Sequence, residues 1–308
     1  MKIAVVVNPR SAGGRTGERW SELRDTLLQE LGSFDDLQTS APGDGTKLAR
    51  QALRDGADLV VALGGDGTIN EVMNGFFDGK ERVRPTAAFA VISAGTGGDF
   101  VKTLQQPKQL QRAAAEIKAA APRAIDVGRM TYTTHDGQQA MRHFINIGSF
   151  GLSGRVVKYV NESSKALGGK LSFALATLRA GMGYKNASIR LTLDDDAPRE
   201  GKIYTVAVAN GRYFGGGMMI APNAALDDGQ FDVVMLGDFG IADLVLRGLD
   251  VYSGKHLTNP KVEVRRAKRV VAEPTDGSEV LIDLDGEGPG RLPATFELLE
   301  KALLLRAP

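Results

Sequence analysis

The chain has 308 residues, 38 basic against 37 acidic, and no cysteine. Balanced charge gives no support to a nucleic-acid partner, and the missing thiols exclude disulfides and thiolate metal sites. The opening apolar run is too short for a signal-peptide core, no stretch approaches the ~20 apolar residues of a membrane span, and His135, His143 and His256 are too scattered for a zinc site. The expectation is a soluble, cytoplasmic protein without a transmembrane segment.

The first third alternates strand and helix signals. Lys2–Val7 reads as a strand, and Thr16–Leu31 as a helix with Trp20, Leu23, Leu27 and Leu31 on one face. A short strand around Leu37–Thr39 precedes a helix over Thr46–Arg54. Leu59–Leu63 reads as a buried parallel strand running into Gly64-Gly65-Asp66-Gly67-Thr68, and Ile69, Val72, Met73 and Phe76 then fall at helical spacing. Ala87–Ser93 is another apolar strand, followed by the glycine loop Gly95–Asp99 and an alanine-rich helix over Gln109–Ala121. A βα repeat of this kind predicts a mostly parallel sheet with helices on both faces.

From Ile125 strands dominate, over about Ile125–Thr133, Arg142–Ile147, Ser188–Leu193, Lys202–Ala209, Phe231–Leu236, Lys261–Arg266, Arg269–Glu273 and Glu279–Asp283. Their close spacing, with Asp- and Gly-rich turns between, predicts an antiparallel sandwich. Two helical inserts are expected, one within Gly151–Gly183 and one at Ile241–Leu249.

Three glycine-bearing loops follow strands of the first domain: Asn8-Pro9-Arg10-Ser11-Ala12-Gly13-Gly14, Gly64–Thr68 and Gly95–Asp99. In a parallel sheet such loops converge on one edge, where backbone N–H groups at helix starts suit phosphate oxygens. A carboxylate among them, Asp66, makes sense if it holds Mg²⁺ through water or orders the cradle. Each loop taken singly is also a plain tight connection. Asp285-Gly286-Glu287 reads both as a hairpin turn, since Asp-Gly favours one, and as a carboxylate able to take the proton of a hydroxyl nucleophile. Asp227-Asp228-Gly229 is likewise a turn or a hard-cation loop.

These motifs, in this order and over essentially the whole chain, resemble the diacylglycerol-kinase catalytic-domain family, specifically its soluble bacterial lipid kinases. Asn8-Pro9-x-Ser11 is similar to the family's opening NPxSG loop, Gly64–Gly75 to GGDGTxN with NEVxNG, and Gly95–Phe100 to GTxNDF. Gly148-Ser149-Phe150-Gly151, Gly168-Gly169-Lys170-Leu171-Ser172-Phe173, Asp227-Asp228-Gly229 and Asp285-Gly286-Glu287 follow in the expected order.

The resemblance implies an α/β N-terminal nucleotide-binding domain of the NAD-kinase/phosphofructokinase-like kind over 1–124, with 294–308 returning to it. It implies a C-terminal antiparallel β-sandwich over 125–293 for the lipid, with ATP and substrate in the cleft between. It places nucleotide contacts on Asn8, Pro9, Arg10, Ser11, Ala12, Thr39, Gly64, Gly65, Asp66, Gly67, Thr68, Ile69, Asn70 and Thr96. It places the general base on Glu287, with Asp285 as the other candidate, and an acidic Mg²⁺-linked network on Asp66, Asp99 and Asp126. A second, structural Mg²⁺ falls on Asp228 with the carbonyls of Ala225 and Gln230.

The activity so implied is ATP- and Mg²⁺-dependent phosphorylation of a lipid hydroxyl in phospholipid biosynthesis, during transient, peripheral attachment to a membrane surface. A homodimer is left open. The alternatives are a NAD-kinase-like enzyme and a catalytically silent lipid- or nucleotide-binding regulator. The chain departs from the family pattern at Gly98, where Asn is usual, and keeps Asp99 beside it. Lys102 is a candidate cation for the transferred phosphate. Arg265-Arg266-x-Lys268-Arg269 reads as a headgroup-contacting or a plainly solvated cluster, and Leu171, Phe173, Leu175, Leu178 and Met182 as an acyl groove or as core.

Overall fold

The computed structural model describes residues 1–93, 98–162, 177, 179–240, 243 and 247–307, with 161 and 162 described by backbone alone. The chain divides into two units, 1–126 with 300–308 and 127–299. Among the described residues no helix is long and apolar enough to cross a membrane.

The first unit contains β1 (Ile3–Val7), α1 (Arg15–Glu18), α2 (Trp20–Leu31), β2 (Asp35–Gln38), α3 (Asp44–Arg54), β3 (Leu59–Gly64) and α4 (Asp66–Gly75). A small hairpin, β4 (Phe77–Asp78) and β5 (Glu81–Arg82), leads to β6 (Ala88–Ser93), α5 (Asp99–Thr103) and α6 (Leu110–Ala119). Strands β2, β1, β3 and β6 are parallel in that spatial order. Every residue of β1 and β3 is buried, as continuous apolar runs predict for strands covered on both faces. Leu27 and Leu31 of α2 and Ala114 and Ile117 of α6 supply one cover.

The predicted helix Thr16–Leu31 is in fact two helices. Gly17 N–H donates to Pro9 O at 2.9 Å, drawing the first turn onto the loop after β1, and the helix restarts at Trp20. Helices α3 and α4 meet at glycine: a Cβ on Gly75 would lie 2.6 Å from Ala49 Cβ. Glu71 accepts the N–H groups of Gly43 at 2.8 Å and Gly45 at 3.0 Å and so caps α3. Most of Asn70-Glu71-Val72-Met73-Asn74-Gly75 therefore builds helix packing.

The second unit is formed by β7 (Arg123–Thr134, entering from the first unit), β8 (Gln139–Phe144), β9 (Ile147–Gly151), α7 (Leu152–Glu162), β10 (Ala187–Leu193), β11 (Arg199–Ile203) and β12 (Thr205–Ala209). It continues through β13 (Phe231–Leu236), β14 (Val262–Ala267), β15 (Arg269–Pro274), β16 (Ile282–Leu284) and β17 (Gly290–Leu305). One layer pairs β11-β10-β15-β17 and the other β14-β13-β12-β9-β16, all antiparallel. Phe144, Phe150, Phe231 and Phe296 fill the core between them. This is the antiparallel sandwich. Strand β17 also returns to the first unit, where Leu304 and Leu305 pair with β6 in parallel.

Two expected strands are divided in the structure. Lys202–Ala209 is two strands in different layers, because at Tyr204 the N–H turns to Leu236 O and Gly237 O and the chain changes sheet. The basic cluster Arg265–Arg269 spans two consecutive strands that lie in different layers, β14 against β13 and β15 against β10. The single strand expected over Arg142–Ile147 is divided between β8 and β9, and β9 takes in Gly148–Gly151. The helix expected at Ile241–Leu249 and the Gly168–Phe173 block fall largely or wholly outside the described residues.

Gly75→Ala should destabilise the protein by ~1–3 kcal/mol through overpacking. The ~1 kcal/mol that alanine gains over glycine in a helix is too small to offset a 2.6 Å contact. A lower urea midpoint with an unchanged slope checks it.

Candidate functional site

Strand order in the first unit reverses between β1 and β3, since β2 lies outside β1 on one side and β6 outside β3 on the other. Loops leaving the carboxyl ends of β1 and β3 therefore flank a crevice, the place where open α/β sheets take ligands. Asn8 Nδ2 donates to Thr68 Oγ1 at 3.0 Å and ties the two loops together. Thr39 N–H donates to Val7 O at 2.9 Å and so sits beside the same loop.

The β1 loop is compact. Arg10 N–H donates to Asn8 Oδ1, Ser11 N–H and Oγ both donate to Asn8 O, and Ala12, Gly13 and Gly14 follow in the left-handed region. Nothing lies within 4 Å of where a Cβ on Gly13, Gly14 or Gly65 would stand, so backbone is open to a ligand there. Helix α4 starts at Asp66 with no side-chain cap from Gly65, leaving first-turn N–H groups to outside acceptors.

Asp66 joins this rim to the next loop. Its Oδ2 accepts Asp99 N–H at 3.0 Å and its Oδ1 accepts Phe100 N–H at 3.3 Å. The carboxylate fills the space beside Gly98, where a Cβ would come within 2.6 Å of Asp66 Oδ1. An asparagine at 98 has no room in this arrangement, which gives the departure at that position a steric reason. Asp99 is buried and its Oδ1 takes Lys102 Nζ at 2.7 Å.

Of the other nucleotide candidates, Thr68 and Asn70 are buried polar groups, Ile69 is core, and Thr96 lies outside the described residues. Asp126 is fully buried and accepts Lys301 N–H at 2.7 Å. Asp66 and Asp99 offer the hard carboxylate oxygens that Mg²⁺ takes, and among the described residues no three acidic or histidine side chains cluster. The rim fits an ion held by one or two carboxylates plus phosphate oxygens and water.

In the second unit Asp285 and Gly286 are the two central residues of a hairpin, at φ 49° and 89°, and Leu284 and Glu287 exchange both backbone bonds. That is a type I′ turn. Asp285 accepts the N–H groups of Ile145 at 3.0 Å, Asn146 at 3.1 Å and Ile147 at 2.9 Å. A carboxylate so engaged fixes the turn and is poorly placed to accept a proton from a substrate. Glu287 stands exposed at the end of the turn.

The Asp228 loop is built around a different cation. Arg266 bonds Asp228 Oδ2 and lies 3.5 Å from Asp232, while Gln230 N–H donates to Asp228 Oδ1 at 3.2 Å. Arg266 is therefore a partner that the expected Mg²⁺ on Asp228, Ala225 and Gln230 would have to share the Asp228 carboxylate with. Arg265 is likewise paired, with Glu263. Met182 is exposed, and the rest of the expected acyl stripe lies outside the described residues.

Sequence reasoning missed Asp283. It lies on β16 between Ile282 and Leu284, which face the sandwich core, so alternation turns it to the opposite face. There it lines an apolar cavity of about 390 Å³ together with Leu152, Val156, Tyr204, Thr205 and Ile220. Burial pushes its carboxyl up to about 7; Gly286 N–H and Ser149 lower it, and the Asp285 and Glu287 charges raise it. The available signal was a carboxylate inside the alternating run Val280–Leu284.

The chain is similar to known proteins along its whole length. Residues 2–130 match the diacylglycerol kinase catalytic domain, and residues 146–307 the YegS C-terminal NAD kinase beta sandwich-like domain. A diacylglycerol kinase of Bacillus subtilis is 30% identical over 84% of this chain and 80% of its own. One of Staphylococcus saprophyticus is 28% identical over 100% of this chain and 95% of its own. A solved structure from Bacillus anthracis, assigned as a diacylglycerol kinase, superposes with a TM-score of 0.77 at 27% identity, covering 100% of this chain and 97% of that one.

Asp285→Ala should strand three backbone donors and cost at least ~2 kcal/mol, since each buried unmet donor is worth ~1–3 kcal/mol. Faster amide exchange at 145–147 is the local check. For Asp283 the folded state keeps a proton that the unfolded chain releases, its pKa being raised from 3.8 to about 7. Its contribution is full below pH ~4 and is lost as pH rises through about 7. The stability of wild type relative to Asp283→Asn should therefore fall across that window, as read from urea midpoints.

Proposed function

The chain belongs to the diacylglycerol kinase family, and from that premise we propose that it transfers the γ-phosphoryl group of ATP, with Mg²⁺, to the hydroxyl of a lipid. The observation that carries the reading is the Asp66 carboxylate at the reversal of strand order, flanked by open glycine backbone and bonded to the start of α5. The first unit holds the nucleotide. Backbone N–H groups of Ala12, Gly65 and Gly67 meet phosphate oxygens, Asn8, Pro9, Arg10 and Ser11 shape the loop that presents them, and Thr39 and Thr96 are the further expected contacts. Phosphoryl transfer is catalysed mostly by positioning and charge neutralisation, and donors on loops already fixed by the Asp66 and Asn8 hydrogen bonds need no reorganisation during the reaction.

Mg²⁺ would supply charge neutralisation on the phosphates, and Asp66 and Asp99 are the residues that would hold it, directly or through water, with Asp126 as the third expected member of that network. Lys102 keeps Asp99 in place at 2.7 Å. The second unit carries the lipid, met transiently at a membrane surface. There Glu287 takes the proton of the acceptor hydroxyl, and Asp285 holds the turn that presents it.

The reading is tested by incubating the chain with γ-labelled ATP, Mg²⁺ and a panel of hydroxyl-bearing lipids in mixed micelles, with NAD as a separate acceptor. Label is expected in a lipid and not in NAD; label in NAD alone, or in neither, overturns it. Asp66→Ala should remove activity and, by stranding the Asp99 and Phe100 N–H groups, lower the unfolding midpoint while the protein still folds. Glu287→Gln should slow turnover by ~10²–10⁴ with nucleotide affinity little changed. EDTA should stop the reaction, which added Mg²⁺ restores.

A further inference from the structure

An exposed carboxylate serves as a base only if its backbone holds it in one place, and the two residues after Glu287 are Gly288 and Pro289. Glycine has the widest backbone freedom of any residue, and proline has no N–H with which to tie itself to a neighbour. On the other side of Glu287 the chain is well held. Leu284 N–H donates to Glu287 O at 2.8 Å, Glu287 N–H to Leu284 O at 2.9 Å, and Gly286 N–H to Asp283 Oδ1 at 2.9 Å. Beyond Glu287 a tie comes from another part of the second unit. His135, 153 residues before Gly288, places its Nε2 3.0 Å from Gly288 O. A carbonyl oxygen only accepts, so Nε2 carries the proton in this contact. The bond exists in the neutral Nε2–H tautomer and in the imidazolium alike.

His135 is itself braced. It lies in the hairpin turn between β7 and β8, closed by Thr134 N–H to Gln138 O at 2.8 Å, Gly137 N–H to Thr134 O at 3.0 Å and Gln138 N–H to Thr134 Oγ1 at 2.9 Å. Its own backbone oxygen accepts Arg291 Nη1 at 3.3 Å, and the same nitrogen donates to Glu279 Oε1 at 3.1 Å. A Cβ on Gly290 would overlap Thr133 O, so the start of β17 lies directly against this hairpin. Resting on the reading of Glu287 as the base, we propose that His135 is a positioning residue for the transfer. Its imidazole pins Gly288 and thereby fixes where the Glu287 carboxylate stands. The effect runs wholly through Gly288, so His135 matters to turnover only while Glu287 acts.

Three substitutions at 135 test this in the full chain. Glutamine can set an amide nitrogen where the imidazole has Nε2, whereas asparagine is too short and alanine has no donor. Without any substrate, amide exchange at Glu287 should quicken about threefold or more in His135→Ala and His135→Asn and stay near wild type in His135→Gln. With labelled ATP, Mg²⁺ and the lipid that takes label in the panel above, His135→Ala and His135→Asn should lower kcat about three- to tenfold, the scale of one hydrogen bond. KM for ATP should not move, and His135→Gln should recover kcat to within about twofold of wild type. In a Glu287→Gln background His135→Ala should cost less than about twofold, because the group it positions is gone. Unchanged exchange, wild-type kcat in His135→Ala, no recovery with glutamine, or the full loss repeated in the Glu287→Gln background each overturns the proposal. If Glu287→Gln is nonetheless slow, the base assignment stands without it. Wild-type turnover in Glu287→Gln, or label in no lipid, overturns that reading and the positioning role together, and the exchange result then decides the pinning of Gly288 alone.

Discussion

Carboxylates spent on backbone N–H groups hold this molecule's loops in place. A buried peptide N–H must find an acceptor, and a loop has no neighbouring strand to supply one. Asp66 serves the start of α5, Glu71 the start of α3, and Asp285 three successive residues leading into β9. Each is a long-range bond, from 26 to 140 residues apart in sequence, so each fixes one loop against another within its unit. The glycines around them follow from this. With Asp66 lying against residue 98, any Cβ there would have to push the carboxylate aside.

Much of the fold was legible because local pattern and environment agree. The runs Ile3–Val7, Leu59–Gly64 and Ala88–Ser93 are apolar throughout and are buried throughout. The strand-to-helix turns between them carried their own glycine signatures. What escaped was set by partners distant in sequence. Nothing in Lys202–Ala209 marks Tyr204 as the point where the chain leaves one sheet for the other, because the switch is made by acceptors on Leu236 and Gly237. The pairing of Arg266 with Asp228 was likewise invisible, since 38 residues separate them.

The site divides in the same way. Asn8, Ser11, Gly65 and Asp66 were picked out by residue type and spacing, and the structure gathers them on one rim. Within Asp285-Gly286-Glu287 the hairpin and the catalytic readings turn out to use different side chains. Asp285 makes the turn, and Glu287 is the exposed carboxylate at its end, which the proposed mechanism uses. Asp283, two residues earlier, gave only the faint signal of a charge in an alternating strand. Its significance depends on α7 and Tyr204 closing an apolar space around it.

The first unit is not continuous in sequence: its sheet takes Leu304 and Leu305 of β17 as the neighbour of β6. On a ribosome, residues 1–126 emerge long before that partner exists. Throughout synthesis of the whole second unit the outer edge of β6 is an open row of donors and acceptors, the kind of edge that pairs with other chains. The apolar composition of that strand makes the exposure more hazardous. The nascent chain thus has an interval in which a chaperone is of most use, and it closes only when the final residues arrive.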